Sequence, residues 1–177
     1  MELDSRLIQA ARCGNRVAQA ALLRELQDQW YRMVLRLLGD MDQAREATQE
    51  TALRFLKQLP AFEGRSKIRT WSLGIAINVA REMRREKKAE ELLVDAPAKG
   101  EPHQELEERE RAEIVNRVID ALPIRQREAV VLRFFEQLSV EESAAAMGCA
   151  AGTVKALVFQ AIRNMRQKLG PQKQLKS

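Results

Sequence analysis

The chain predicts an all-α fold, with two small helical domains joined by a flexible acidic linker. Three observations carry this reading. Apolar residues recur at spacings of three and four along the 177 residues, and no stretch alternates in twos. The composition suits helices: 45% hydrophobic and 31% charged, rich in Ala, Leu, Arg, Lys and Glu, with few aromatics. Residues 94–104 (Val-Asp-Ala-Pro-Ala-Lys-Gly-Glu-Pro-His-Gln) hold two prolines, a glycine and no periodicity, the mark of a linker. The expected division is therefore 1–92, a linker over 93–113, and 114–177. Domains this small are only moderately buried, so a large partner can contribute to their stability.

The elements follow in order. Asp4 caps a short helix with Leu7, Ile8 and Ala11 on one face. Asn15 caps a longer one, whose stripe of Val17, Ala20, Ala21, Leu23, Leu26, Trp30, Met33, Val34, Leu37 and Leu38 ends at Gly39. Asp40 or Asp42 opens a third helix that runs to Leu59 and stops at Pro60. A loop over 61–67 contains Gly64, and a fourth helix runs from about Ile68 to Leu92. Beyond the linker, helices are expected from Glu105 to Leu122, then over 124–137, 140–147 and 151–169, before a basic tail with Gly170 and Pro171.

Charge is unevenly spread. The net charge is +5, yet residues 90–113 carry nine acids and three bases, net −6, so the remainder is +11. Two basic bodies flanking an acidic connector point toward nucleic acid. Cys13 and Cys149 are too few for a disulfide framework and lack metal-ligand spacing. The one histidine, His103, lies in the linker, which argues against a His-ligated zinc site or a triad drawn from several histidines. The start has no apolar signal core, and no apolar run approaches the ~18 residues of a membrane span. The expectation is a protein of the reducing bacterial cytoplasm, without cofactor, metal, membrane insertion or enzymatic site.

The C-terminal half carries the strongest motif. A helix-turn-helix needs a small residue where its helices cross, a residue tolerant of positive φ in the turn, and an apolar anchor in the second helix. Ala144, Gly148 and Val154 fall at those spacings. Ser139 and Glu142 form a capping box for the first helix. The second helix then presents Lys155, Phe159, Gln160 and Arg163 outward, with its N-terminal end suited to a major groove. Residues 123–177 hold nine bases and four acids. The segments Leu122-Pro-Ile-Arg-Gln-Arg-Glu-Ala-Val-Val-Leu-Arg, Leu138-Ser-Val-Glu-Glu-Ser-Ala and Gly152-Thr-Val-Lys resemble region 4 of the extracytoplasmic-function sigma factors. The resemblance implies that Thr153, Lys155, Ala156, Phe159, Gln160 and Arg163 read the minus-thirty-five promoter element. The family often has Pro near Ala150, Ser at position 156 and Arg at 157 and 160. Ala156, Leu157 and Gln160 depart from that, and a lost arginine removes a bidentate contact, so the bases read stay open.

The second motif is Phe62-Glu-Gly-Arg-Ser-Lys-Ile-Arg-Thr-Trp-Ser-Leu-Gly-Ile-Ala-Ile-Asn. A glycine-containing loop with Arg65, Ser66 and Lys67 can approach an extruded base and its phosphates. Residues 63–88 hold eight bases and three acids, so the following helix can track a backbone. This run resembles regions 2.3 and 2.4 of the same family. The resemblance implies minus-ten recognition by Arg65, Ser66, Lys67, Arg69, Trp71, Asn78 and Arg81. Ile68 stands for the usual Phe, Ser72 for the usual Leu, and Gly74 sits mid-helix.

The run from Asp40 to Leu56 resembles region 2.2, which docks on the clamp coiled coil of the polymerase largest subunit. The carried-over positions are Asp42, Gln49, Glu50, Arg54 and Phe55. The resemblance further implies contact with the polymerase flap, a linker threading polymerase channels, promoter DNA, and an anti-sigma protein able to hold the chain near the membrane. Two rivals are weighed: a stand-alone helix-turn-helix regulator, which would dimerise on a palindrome, and a helix-turn-helix enzyme such as a nuclease. The carboxylates form no metal constellation in the sequence, and no nucleophile motif appears.

Overall fold

A computed structural model describes residues 4–93 and 117–169. Helices α1 (Ser5–Arg12), α2 (Arg16–Leu38), α3 (Met41–Gln58) and α4 (Ile68–Leu93) form the N-terminal half, with a single 3₁₀ turn at Leu59–Ala61. In the C-terminal half, helical residues 117–120 (α5) are followed by α6 (Ile124–Val130), α7 (Val140–Met147) and α8 (Ala151–Leu169). The described residues contain no strand. The bulk of the linker, His103, the first part of the helix expected from Glu105, and the basic tail lie outside the described residues.

Local chemistry sets the boundaries. Asp4 accepts from the Arg6 N–H at 2.9 Å, Asn15 from Ala18 at 3.0 Å and Asp40 from Gln43 at 2.9 Å. Each satisfies a donor left free at a helix start. Gly39 ends α2 in the left-handed region at φ 73°. Two expectations need correction. Pro60 does not cut α3 cleanly; it lies inside the 3₁₀ turn that follows, where its missing N–H leaves no helical bond unmade. The helix expected over 124–137 is regular only to Val130, and Val131–Phe135 form a π turn. There the Glu136 N–H reaches the Val131 carbonyl at 3.0 Å, and Gln137 takes φ 55°. The wider turn keeps Val131 and Leu132 buried while leaving Phe134 exposed.

An aromatic chain builds the N-terminal core. Trp30 packs on Phe55 (5.2 Å between centroids), Phe55 on Trp71 (5.6 Å) and Trp71 on Phe62 (4.9 Å). It runs from the bundle centre to the loop before α4 and so fixes where that loop sits. Trp30 Nε1 donates to Ser72 Oγ at 3.0 Å, and Ser72 Oγ donates to the Arg69 carbonyl at 2.8 Å. Ser72 is therefore a fully buried bridge in the core.

The two halves pack on each other. One apolar cluster runs from Leu22 and Trp30 through Ile77 to Leu132, Met147 and Val154. Gly74 makes this possible: a Cβ there would lie 3.2 Å from the Ala146 carbonyl oxygen of α7. The mid-helix glycine costs about 1 kcal/mol against alanine, and the close approach of α4 to α7 explains its presence. Polar contacts surround it. The Arg127 and Arg84 guanidinium groups both reach the Leu37 carbonyl, at 2.9 and 3.0 Å. Gln29 donates to Glu136 at 2.7 Å, and Arg36 lies 4.5 Å over the Phe135 ring.

Candidate nucleic-acid interface

The parts of the helix-turn-helix are local in sequence. Ser139 Oγ accepts from the Glu142 N–H at 3.0 Å, and Glu142 accepts from the Ser139 N–H at 2.8 Å. Both bonds of the capping box are thus made. These contacts hold the Glu142 carboxyl below its usual range, the Ser139 backbone N–H foremost and Lys67 next. Gly148 adopts φ 63°, ψ 45°, which a side chain would strain. The axes of α7 and α8 then bend by 100°, within the range of helix-turn-helix pairs. Ala144 sits at the crossing and Val154 is fully buried. With Val154 and Ala161 turned inward, Thr153, Lys155, Ala156, Phe159, Gln160 and Arg163 are all exposed on α8. Phe159 is 69% exposed. Among them Gln160 makes a side-chain hydrogen bond within the described residues, accepting from Gln126 at 3.4 Å.

The N-terminal surface is assembled differently. Arg65 is exposed and pairs with exposed Glu63, an arrangement of little energetic weight. Ser66 is half-buried, and Lys67 reaches Glu142 of α7 at 3.2 Å. Arg69 and Asn78 are exposed. Arg81 donates through Nε and Nη2 to the two oxygens of Glu128, both at 2.7 Å, and Arg125 adds a third contact at 3.0 Å. Glu128 is 1% exposed. Burial pushes its carboxyl pKa up, and the Arg81 hydrogen bonds offset part of that. Trp71 is half-buried between Phe55 and Phe62.

The seven predicted minus-ten residues thus form two groups. Arg65 to Trp71 lie around the loop. Asn78 and Arg81 lie roughly 14 and 18 Å further along α4, at 1.5 Å per residue from Arg69. They border a basic cleft with Arg54, Arg84, Lys88 and Arg125 between α4 and α6. Ser66, Lys67 and Arg69 border an open cavity of about 330 Å³ with Ile8, Phe62 and Ile68. Its floor includes two residues that sequence reading missed, Gln9 and Arg12 of α1. No local signal could have found them, since they are more than fifty residues away in sequence.

On α3, Asp42 and Gln49 are exposed. Arg54 binds Glu50 and Glu82 of α4, both at 2.6 Å, and those bonds raise its pKa. Glu50 and Arg54 therefore brace α3 against α4. Phe55 overturns its expected place on a docking surface: it is 0% exposed, enclosed by Trp30 and Trp71. Its apolar ring gains more from burial than any exposed position could return. Met41 and Leu53 are the exposed apolar residues of this helix, and Leu53 is 65% exposed. Leu53 shares a face with Gln49, one turn earlier, so helical periodicity could have shown it.

Among the described residues no group of three His, Cys, Asp or Glu side chains is arranged to hold a metal ion. No single described helix is long and apolar enough to cross a membrane.

Comparison with known proteins fits this geometry. Residues 22–90 match Sigma-70 region 2 and residues 112–165 match Sigma-70, region 4. The RNA polymerase sigma-H factor of Pseudomonas aeruginosa is 30% identical, covering 96% of this chain and 95% of its own. The ECF RNA polymerase sigma factor SigC of Mycobacterium tuberculosis is 31% identical over 87% of this chain and 84% of its own. The fold matches the sigma factor RpoE solved with the anti-sigma factor NepR from Bartonella quintana (TM-score 0.70, 22% identity, 85% of this chain and 95% of that one). It equally matches CnrH in complex with the cytosolic domain of CnrY (TM-score 0.70, 21% identity, 92% and 94%). The chain belongs to the sigma-70 family of RNA polymerase sigma factors, in its extracytoplasmic-function group. Its function is promoter-directed transcription initiation with RNA polymerase.

Proposed function

We propose a division of labour along the chain. Residues 114–177 read the minus-thirty-five element through Thr153, Lys155, Ala156, Phe159, Gln160 and Arg163. Residues 1–92 capture and open the minus-ten element through Arg65, Ser66, Lys67, Arg69, Asn78 and Arg81, with Trp71 supporting the loop from the core side. Residues 93–113 join the two. The exposed face of α3 with Asp42, Gln49 and Leu53 docks on the polymerase clamp, and the C-terminal half meets the flap. The chain acts in the bacterial cytoplasm, and an anti-sigma protein restrains it. The restraint is supported by the relatives solved with such partners. No catalytic step is assigned to the chain itself.

One observation carries this reading: all six α8 positions face solvent, on a helix held at 100° to α7 by a left-handed glycine. That geometry suits insertion into a major groove. The test separates the two surfaces in one holoenzyme. Lys155→Ala should weaken promoter binding through the upstream box, leaving opening of a promoter already bound through the minus-ten element intact. Replacing Arg65, Ser66 and Lys67 together by alanine should impair opening more than polymerase binding. Unchanged upstream binding in the first variant, or equal loss of both activities in the second, would contradict the assignment.

A further inference from the structure

Three side-chain amides run in a line from the packing of α6 against α8 to the outer face of α8. Asn164 Nδ2 donates to Gln126 Oε1 at 2.8 Å, and Gln126 Nε2 donates to Gln160 Oε1 at 3.4 Å. Gln126 of α6 is 9% exposed, Asn164 is half-buried and Gln160 is exposed. Ile119, Leu122, Val130 and Ala161 close the apolar seam beside this line, so Gln126 is held by packing as well as by its bonds. The reading of the upstream box uses neither Gln126 nor Asn164.

An amide carries an acceptor oxygen and a donor nitrogen on opposite sides of one carbon. A line of amides therefore has a direction. With Asn164 donating, Gln126 turns its oxygen to Asn164 and its nitrogen to Gln160. Gln160 then turns its oxygen toward α6, and its nitrogen has no partner among the described residues. The group it offers outward is a pair of N–H donors. Arginine, frequent at this position in the related pattern, has no acceptor and could not receive the Gln126 N–H. Gln160 can.

We propose that Gln126 and Asn164 are positioning residues that set which end of the Gln160 amide faces the upstream promoter box. This rests on the reading of α8 as the helix that enters that box. In the major groove guanine and adenine share the N7 acceptor and differ at the sixth position, where O6 accepts and the N6 amine donates. With its nitrogen outward, Gln160 favours guanine over adenine at the base pair it meets, because the adenine amine sets a donor against a donor.

The direction of the line can be reversed by exchanging an amide for a carboxylate, which only accepts. In Gln126→Glu the new carboxylate accepts from Asn164 and from Gln160, so the Gln160 oxygen turns outward. In Asn164→Asp the carboxylate accepts from Gln126 Nε2, Gln126 Oε1 then accepts from Gln160, and the Gln160 oxygen again turns outward. Changes on two different helices share one expected outcome.

The test uses holoenzyme assembled from core polymerase and the full chain. Its binding is measured on promoters carrying each of the four bases at each position of the upstream box. Wild type should favour guanine over adenine by about ten-fold at one position, the scale of one good base contact, and Gln160→Ala should flatten that preference. Gln126→Glu and Asn164→Asp should both shift it toward adenine, with preferences at the other positions kept. Weaker binding to every template with the guanine preference intact would overturn the positioning role. Adenine favoured over guanine by wild type at the position flattened in Gln160→Ala would overturn the direction of the line. Lys155→Ala separates the two levels. If neither it nor Gln160→Ala changes upstream binding, the reading of α8 itself fails; if it weakens binding while Gln160→Ala leaves every preference unchanged, only the present inference fails. Thermal melting identifies any effect due to folding, and Asn164→Asp, at the less buried site, carries the test if Gln126→Glu does not fold.

Discussion

The two surfaces proposed to face DNA differ in what they touch. On α8 the six predicted residues stand in solvent, and among the described residues only Gln160 of the six has a side-chain hydrogen bond to the protein. On the N-terminal half, two of the seven are held by carboxylates of the C-terminal half: Lys67 by Glu142 and Arg81 by buried Glu128. Both surfaces are basic, so charge alone does not separate them. One is displayed by a motif whose cap and turn are local, although its buried face packs into the shared core. The other is built across long-range contacts, and those contacts are shared with the packing of the two halves. A phosphate approaching Lys67 or Arg81 must compete with a carboxylate already in place.

Substitutions can break or sharpen this contrast. The largest effect is expected at Phe55, the centre of the aromatic chain. Phe55→Ala should destabilise the N-terminal core by about 3–5 kcal/mol. The chain has two tryptophans, Trp30 and Trp71, and both touch Phe55, so the urea transition followed by tryptophan emission reports this core directly. Next comes Arg81→Ala, which strands Glu128 with Arg125 as its remaining ion-pair partner. A loss of about 3 kcal/mol is expected, read in the urea transition of the whole chain followed by circular dichroism. Glu128→Ala should cost less, because Arg81 can then reach solvent.

Gly74→Leu tests the packing of the halves itself. The added side chain meets the Ala146 backbone, and overpacking of about 1–3 kcal/mol should separate α4 from α7. A larger radius in small-angle scattering would register it, with tryptophan emission unchanged. Ser139→Ala should have the smallest effect on stability, about 1 kcal/mol, since it removes one cap from α7. The pH dependence follows from the same cap. The folded chain depresses the Glu142 pKa below 4.5. Its contribution to stability is therefore present above that value and is lost as pH falls through the lower folded one. An NMR titration of Glu142 should show a low midpoint that rises in Lys67→Ala.

The elements most legible in sequence are those whose determinants are local. Asp4, Asn15, Gly39 and Asp40 mark their helix ends, and the capping box with Gly148 defines α7 and the start of α8, because each acts within four residues. Positions set by distant partners were not legible. Ser72 departs from the family pattern because its hydroxyl accepts from Trp30, 42 residues earlier. Gly74 is required by Ala146, on another element altogether. Neither departure belongs to base reading. Phe55 is a different case: it was expected on the docking face, yet Ala44, Ala47, Thr51 and Phe55 make one buried stripe of α3 whose helical spacing is visible in the sequence. The packing of the two halves on each other, and with it the engagement of Arg81 and Lys67, needed the fold.

The central claim is that this chain gives core RNA polymerase its promoter specificity through two separate surfaces. Run-off transcription with purified core polymerase tests it most directly, on templates taken from transcript starts that appear when the protein is overproduced. A discrete transcript that requires both promoter boxes and the added chain is expected. Tight binding of the isolated chain to duplex DNA, with no transcript from polymerase, would contradict it.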